Sequence, residues 1–146
     1  RLPEMASWER GRSLFLCLIG AIYAIAFASF FIQAPGLYGQ HGIVPASLTV
    51  SRGVIDHPSA VLWRLRPLSI GVDPFLDLVA ISGSILSAAV AWGYGNTLFM
   101  ALLLVLYQTL NLIGQPFLPF QWDILLLEAG GLAVLAAPHL PRASPG

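Results

Sequence analysis

Residues Leu14 to Ala34 read LFLCLIGAIYAIAFASFFIQA, a run without a single charged side chain. At 1.5 Å per residue a helix of this length extends ~31 Å, enough to cross the ~30 Å hydrocarbon layer of a bilayer. The apolar core of a secretory signal is shorter, about 7–15 residues, so the run reads as a retained membrane helix. Gly20, Ala24 and Ala28 repeat every fourth residue and form a ridge suited to close helix contact. Pro35-Gly36 is expected to end the helix.

The rest of the chain agrees with a membrane setting. It is 57% hydrophobic and 10% charged, with mean hydropathy +0.78, whereas ordinary soluble domains carry about 25% charge. Leu78 to Gly95 is a second apolar run, with Gly83, Ser87, Ala91 and Gly95 as its small-residue ridge. A third runs from about Thr97 to Gly114. Only Gly93 to Asn96 separates the two, which predicts an antiparallel hairpin. A fourth runs from Gln121 to Pro138, near the lower length limit of ~17 residues for a crossing; Gly130-Gly131 near its middle would let another backbone approach. The predicted fold is therefore all-α: a polytopic membrane helical bundle of about four transmembrane helices. Residues 14–138 form that bundle, residues 1–13 a cytosolic flank and residues 139–146 a polar C-terminal flank.

Residues 36–77 form a long polar connection with Pro45, Pro58, Pro67 and Pro74 and the charges Arg52, Asp56, Arg64, Arg66, Asp73 and Asp77. His57-Pro58 can start a helix, because Pro suits the first helical position. Ala60 to Leu68 mixes apolar residues with Arg64 and Arg66. It reads as a short interfacial helix with Trp63 at headgroup depth.

The flanks hold Arg1, Arg10, Arg12 and Arg142 and the connection holds Arg52, Arg64 and Arg66. This bias points to cytosolic termini. Net charge is +0, which gives no sign of a nucleic-acid partner. All seven basic residues are arginine, for which we have no physical account. Cys17 is the only cysteine; it can form no intrachain disulfide, and no metal-binding Cys/His spacing occurs. His41, His57 and His139 lie outside the apolar runs. No phosphate-binding loop, nucleophile motif or zinc pattern is present, so no cofactor is expected. The chain begins at Arg1 without a Met and is expected to be a piece of a longer protein.

Two carboxyl groups, Asp123 and Glu128, interrupt the fourth run. An ionised group inside hydrocarbon costs at least ~2.5 kcal/mol on insertion scales, so such residues usually have a partner and a role. Five apart, they sit about 140° from one another round a helix and share no face. Asp123 falls in the first turn, where a carboxylate suits the unpaired N–H groups and the helix dipole. Glu128 lies deeper, ~9 Å from the start of the helix, where desolvation would favour the protonated form. The third run carries Gln108, Asn111 and Gln115 on one helical face. Counting outward from the turn near Leu118 brings Gln108 and Glu128 to one depth, so a hydrogen bond between them is expected. Asp123, Glu128, Gln108, Asn111, Gln115 and the neighbouring Trp122 are thus the candidate polar and functional residues.

Three blocks of this sequence resemble the lipase maturation factors of the endoplasmic reticulum membrane. The first is Ile22 to Ser29 with Gln33 to Gly39 and Gly42 to Ala46. The second is Leu106 to Leu110 with Ile113 to Gln115. The third is Phe120 to Gly130 with Leu132 to Val134 and Ala137-Pro138. The Tyr38-Gly39 and Gln121-Trp122-Asp123 forms look more like the second member of that family than the first.

The resemblance implies a multi-pass endoplasmic reticulum membrane protein with a cytosolic N-terminus and a lumenal 36–77 connection. It implies a factor that assists the folding and assembly of secreted lipases such as lipoprotein lipase, alongside other folding factors of that compartment, and not an enzyme. It implies, too, a further lumenal region that this sequence does not contain. The membrane part is also distantly similar to the vitamin K-dependent carboxylase. Two alternatives therefore stand beside the maturation factor: a carboxylase-like membrane enzyme, and a small transporter or proton relay using Glu128.

Overall fold

The computed structural model describes residues 2–51, 53, 56–57, 60–67, 69–114, 117–118 and 120–138. Gln115, Arg1, Arg52, Pro58, Arg142, His139 and the 139–146 flank lie outside them. The described residues are all-α: α1 (Leu2–Leu37), α2 (Ala46–Ser51), α3 (Val61–Leu65), α4 (Val72–Ala89) prolonged by a π turn (Val90–Tyr94), α5 (Thr97–Ile113) and α6 (Gln121–Ala136).

The four long helices alternate in direction. The start of α1, the α4–α5 turn and the end of α6 meet at one end, where Thr97 N–H donates to the Pro138 carbonyl at 3.0 Å and Leu16, Gly95 and Pro138 border one small cleft. The end of α1, the start of α4, the end of α5 and the start of α6 meet at the other. There the Gln40 N–H donates to Asp73 Oδ2 at 3.1 Å and the Tyr38 hydroxyl donates to the Gly114 carbonyl at 2.9 Å.

The first helix differs from the expectation at both ends. It begins well before Leu14, taking in Glu9, Arg10 and Arg12, and it passes through Pro35. Proline in the last turn removes only one intrahelical bond, and the turn closes instead through Tyr38 and Gly39 N–H groups, both donating to the Ala34 carbonyl. The fourth helix also begins earlier, at Val72, so Asp73, Pro74 and Asp77 belong to its first turns and not to the connection. Pro74 is tolerated there because a first-turn N–H has no intrahelical acceptor.

By length and apolarity, Ser7–Leu37 and Val72–Tyr94 are each able to cross a membrane, while Thr97–Ile113 is apolar but shorter. Their outward faces carry exposed Leu14, Leu18, Ile22, Ile25, Ile32, Leu78, Ile85 and Leu98, far more apolar surface than a water-facing bundle presents.

Both small-residue ridges pack. Gly83 and Ser87 are buried, and a Cβ on Gly83 would stand 2.4 Å from the Phe27 ring. A Cβ on Gly20 would stand 2.6 Å from the Ala91 nitrogen. Thus α1 lies closely along α4 and its π turn. Ala28, the last residue of the first ridge, is exposed instead. The hairpin turn forms as expected: Gly93 takes φ 104°, a conformation open chiefly to glycine, and the Asn96 side chain caps α5 by accepting from Phe99 N–H at 2.9 Å.

Trp63 turns inward instead of standing free on a surface helix. The predicted short helix exists as α3, but Trp63 is 2% exposed. Its indole N–H donates to the Thr109 carbonyl at 3.0 Å, and its ring meets Phe75 edge-on at 4.8 Å. The Thr109 hydroxyl donates back to the Val105 carbonyl, while the Thr109 carbonyl, which carries two lone pairs, takes the indole. Arg66 covers the ring from outside, 5.9 Å away. The described short helices of the connection, α2 and α3, therefore fold onto the bundle against α4 and α5.

Candidate functional site

Aromatic residues recur on the inner face of α1 at Tyr23, Phe27 and Phe30, with Ala34 and Tyr38 continuing the row. Tyr23 and Phe27 both meet Tyr107 of α5 edge-on at 5.6 Å. This geometry suits the ring quadrupoles. Phe30 stacks on Tyr38 at 5.4 Å, and Tyr38 meets Phe117 at 6.1 Å.

Each tyrosine hydroxyl of this group binds across the bundle. Tyr23 donates to the Leu126 carbonyl at 3.2 Å. Gly130 makes room for that phenol: a Cβ there would stand 2.1 Å from its oxygen. The glycine pair in α6 therefore admits a side chain and not a backbone, and only through Gly130. Tyr107 donates to Asp123 Oδ1 at 2.5 Å, with Tyr107 3% and Asp123 7% exposed. Tyr38 lies just beyond α1; burial, with the nearby Asp123 charge adding to it, pushes its phenol up to about 12.

The carboxyl taken in by the bundle is thus Asp123, not Glu128. Asp123 starts α6 as expected, but its side chain reaches inward to α5. Glu128 is exposed on the opposite side of α6, so the expected buried pair with Gln108 does not form. The physical reason is rotational. Facing Asp123 toward Tyr107 turns Glu128, about 140° away, to the outside. Gln108 is half-buried and Asn111 buried, with the Asn111 amide nitrogen unpaired among the described residues.

Asp123 and Tyr107 stand in a crevice of about 540 Å³ between α1 and the start of α6. Ile22, Ile25, Ser29 and Gln33 line it from α1, and Phe120, Trp122 and Leu126 from the other side. Trp122 stacks on Phe120 at 5.2 Å and, 68% exposed, forms its lip. The site draws on all three sequence blocks: Tyr23 and Tyr38 from the first, Tyr107 from the second, Asp123 from the third. The sequence had singled out Asp123 and Trp122 but not the three tyrosines. The signal for Tyr23 was present as an aromatic row at helical spacing, Tyr23-Phe27-Phe30. Nothing in the sequence marked Tyr107 as the partner of Asp123. No group of three or more acidic, histidine or cysteine side chains able to hold a metal ion exists among the described residues.

The family profile described as the lipase maturation factor transmembrane domain matches residues 10–145. Lipase maturation factor 2 of Gallus gallus is 40% identical over 89% of this chain and 19% of its own length. The Mus musculus protein of the same name is 39% identical over 92% of this chain and 20% of its own. Lipase maturation factor 1 of Bos taurus is 30% identical over 92% of this chain and 27% of its own. The chain thus spans about a fifth of the length of the factor 2 relatives it matches. No solved structure matches it.

Proposed function

The chain belongs to the lipase maturation factor family, and from that premise we propose that it is the membrane-embedded part of a factor assisting the folding, assembly and secretion of lipases such as lipoprotein lipase. It works in the endoplasmic reticulum membrane, beside other folding factors, and not as an enzyme. The match along nearly the whole chain to proteins named as maturation factors carries this conclusion.

We place four helices across the bilayer with both termini cytosolic. The alternating helix directions and the outward apolar faces favour this arrangement. The last two helices extend ~26 Å and ~24 Å, short of a ~30 Å core by an amount that local thinning accommodates at modest cost. The capped end with Trp63, Trp122 and Asp123 is then lumenal. Glu128, on which the relay rests and which was the buried candidate for an enzyme, stands outside the crevice, and this weighs against both alternatives.

Affinity capture of the protein from detergent-solubilised microsomes tests the assignment. Secreted lipases and folding enzymes should co-purify. Turnover that depends on a lipid cofactor, with no lipase recovered, would replace the maturation factor by the carboxylase-like enzyme. Labelling of single cysteines at Ser51 and Ser144 from the same side of the membrane would overturn the four-span topology.

A further inference from the structure

The crevice beside Asp123 changes character along its length. On α1 its wall is the stripe Ile22, Ile25, Ser29 and Gln33, which extends ~17 Å. Ile22 and Ile25 lie midway along the uncharged run, and both are exposed. The inner part of the crevice therefore opens sideways, through apolar surface at the depth a bilayer's acyl chains occupy. The polar side chains Gln33, Tyr38 and Asp123 gather at the other part, where α1 ends and α6 begins. An apolar slot leading to a polar end at the membrane boundary has the profile of one lipid leaflet.

The polar end also specifies a charge. Among the described residues no basic side chain lines the crevice, and the walls they form supply no counter-charge to Asp123. The aromatic rings of Tyr38, Tyr107, Phe120 and Trp122 line the same end, and ring faces attract organic cations. We propose that this crevice holds one membrane lipid with an ammonium head group, its ammonium beside Asp123 and the aromatic rings and one acyl chain along Ile25 and Ile22. A basic peptide would offer the same charge, but an aqueous segment would have to enter through the apolar side opening. The proposal rests on membrane embedding alone and stands whether or not the chain assists lipases.

The test reconstitutes the whole chain in phosphatidylglycerol nanodiscs doped with a phosphatidylethanolamine carrying a photoactivatable acyl chain, or with phosphatidylglycerol carrying the same chain. Adducts are mapped by mass spectrometry. Phosphatidylethanolamine should label residues 22–33 and 117–126 about fivefold more than phosphatidylglycerol, the size expected of a cation held by a carboxylate and aromatic rings in a half-open site. Asp123→Asn keeps an acceptor for the Tyr107 hydroxyl and should bring that ratio to about one without loss of helicity. Ile25→Trp fills the slot and should reduce labelling by the ammonium lipid; it serves as the deciding variant if Asp123→Asn fails to fold. Equal labelling by both lipids, meaning ordinary surrounding lipid, would overturn the proposal, as would a preference that survives Asp123→Asn. Displacement of the lipid by an arginine-containing amphipathic peptide that cross-links in its place would assign the crevice to a polypeptide instead.

Discussion

Tyr107→Phe removes one hydroxyl and leaves the ring in place, so the edge-on contacts with Tyr23 and Phe27 persist. What is lost is the 2.5 Å bond to Asp123 Oδ1, between side chains that are 3% and 7% exposed. Stranding a buried acceptor costs about 1–3 kcal/mol. Between membrane helices, pairwise couplings average ~0.6 kcal/mol and reach ~1.7. Burial on both sides puts this pair near the upper value. Tyr107→Phe should therefore destabilise by about 2 kcal/mol. A double-mutant cycle with Asp123→Leu should give a coupling of about 1–1.7 kcal/mol. Equilibrium unfolding in mixed micelles, followed by far-ultraviolet circular dichroism, measures all four proteins. Glu128→Leu is the counterpart, because an exposed carboxyl on an apolar helix holds no buried bond; it should not destabilise. A Tyr107–Asp123 coupling below about 0.5 kcal/mol, within the range of simple additivity, would refute the assignment. So would a larger cost for Glu128→Leu than for Tyr107→Phe.

Gly130→Ala should destabilise by about 1–3 kcal/mol, because its methyl would overlap the Tyr23 phenol. Gly131→Ala, where a Cβ meets nothing within 4 Å, should be neutral or stabilise by up to about 1 kcal/mol; thermal unfolding of the two variants compares them, and equal effects would show that α6 is rotated from the position described. Asn111→Leu should be neutral or stabilising by up to about 1 kcal/mol, since it removes a buried amide nitrogen that has no acceptor among the described residues; a clear loss of stability in the same assay would mean that the amide is satisfied. Tyr38 is expected to stay protonated to about pH 12 in the fold against 10.0 ordinarily, so its neutral form is the one folding favours. Its contribution is then fully present below pH 10 and is lost as pH rises through about 12. Tyr38→Phe should flatten the alkaline fall in thermal midpoint over that interval, whereas parallel profiles for variant and parent would contradict it.

Local chemistry made much of this protein legible from its sequence. An uncharged run of Leu14–Ala34 can hardly be anything but a long apolar helix, because no soluble surface accepts it. Gly93 to Asn96 allow only a tight reversal, and Gly20 and Gly83 mark close helix contact, because small residues at four-residue spacing share a face. Helix ends were less legible. The end of α1 depends on which later N–H groups reach the Ala34 carbonyl, and the start of α4 on the Phe75 N–H reaching the Gly71 carbonyl; both are properties of the folded turn.

What only the tertiary structure decided was rotation and depth. The sequence places Asp123 and Glu128 on different faces of α6 but carries no mark of which face turns inward. Hydropathy is no guide, since Ile124, Leu125, Leu126 and Leu127 surround the helix with apolar groups on every side. The choice was made by a phenol on α5, sixteen positions earlier in the chain, and by the gap at Gly130 that admits Tyr23 from α1. The same holds for Trp63. A tryptophan beside arginines has the composition of an interfacial residue, yet the Thr109 carbonyl and the edge of Phe75 draw it into the bundle. Those contacts are long-range, so no local pattern encodes them.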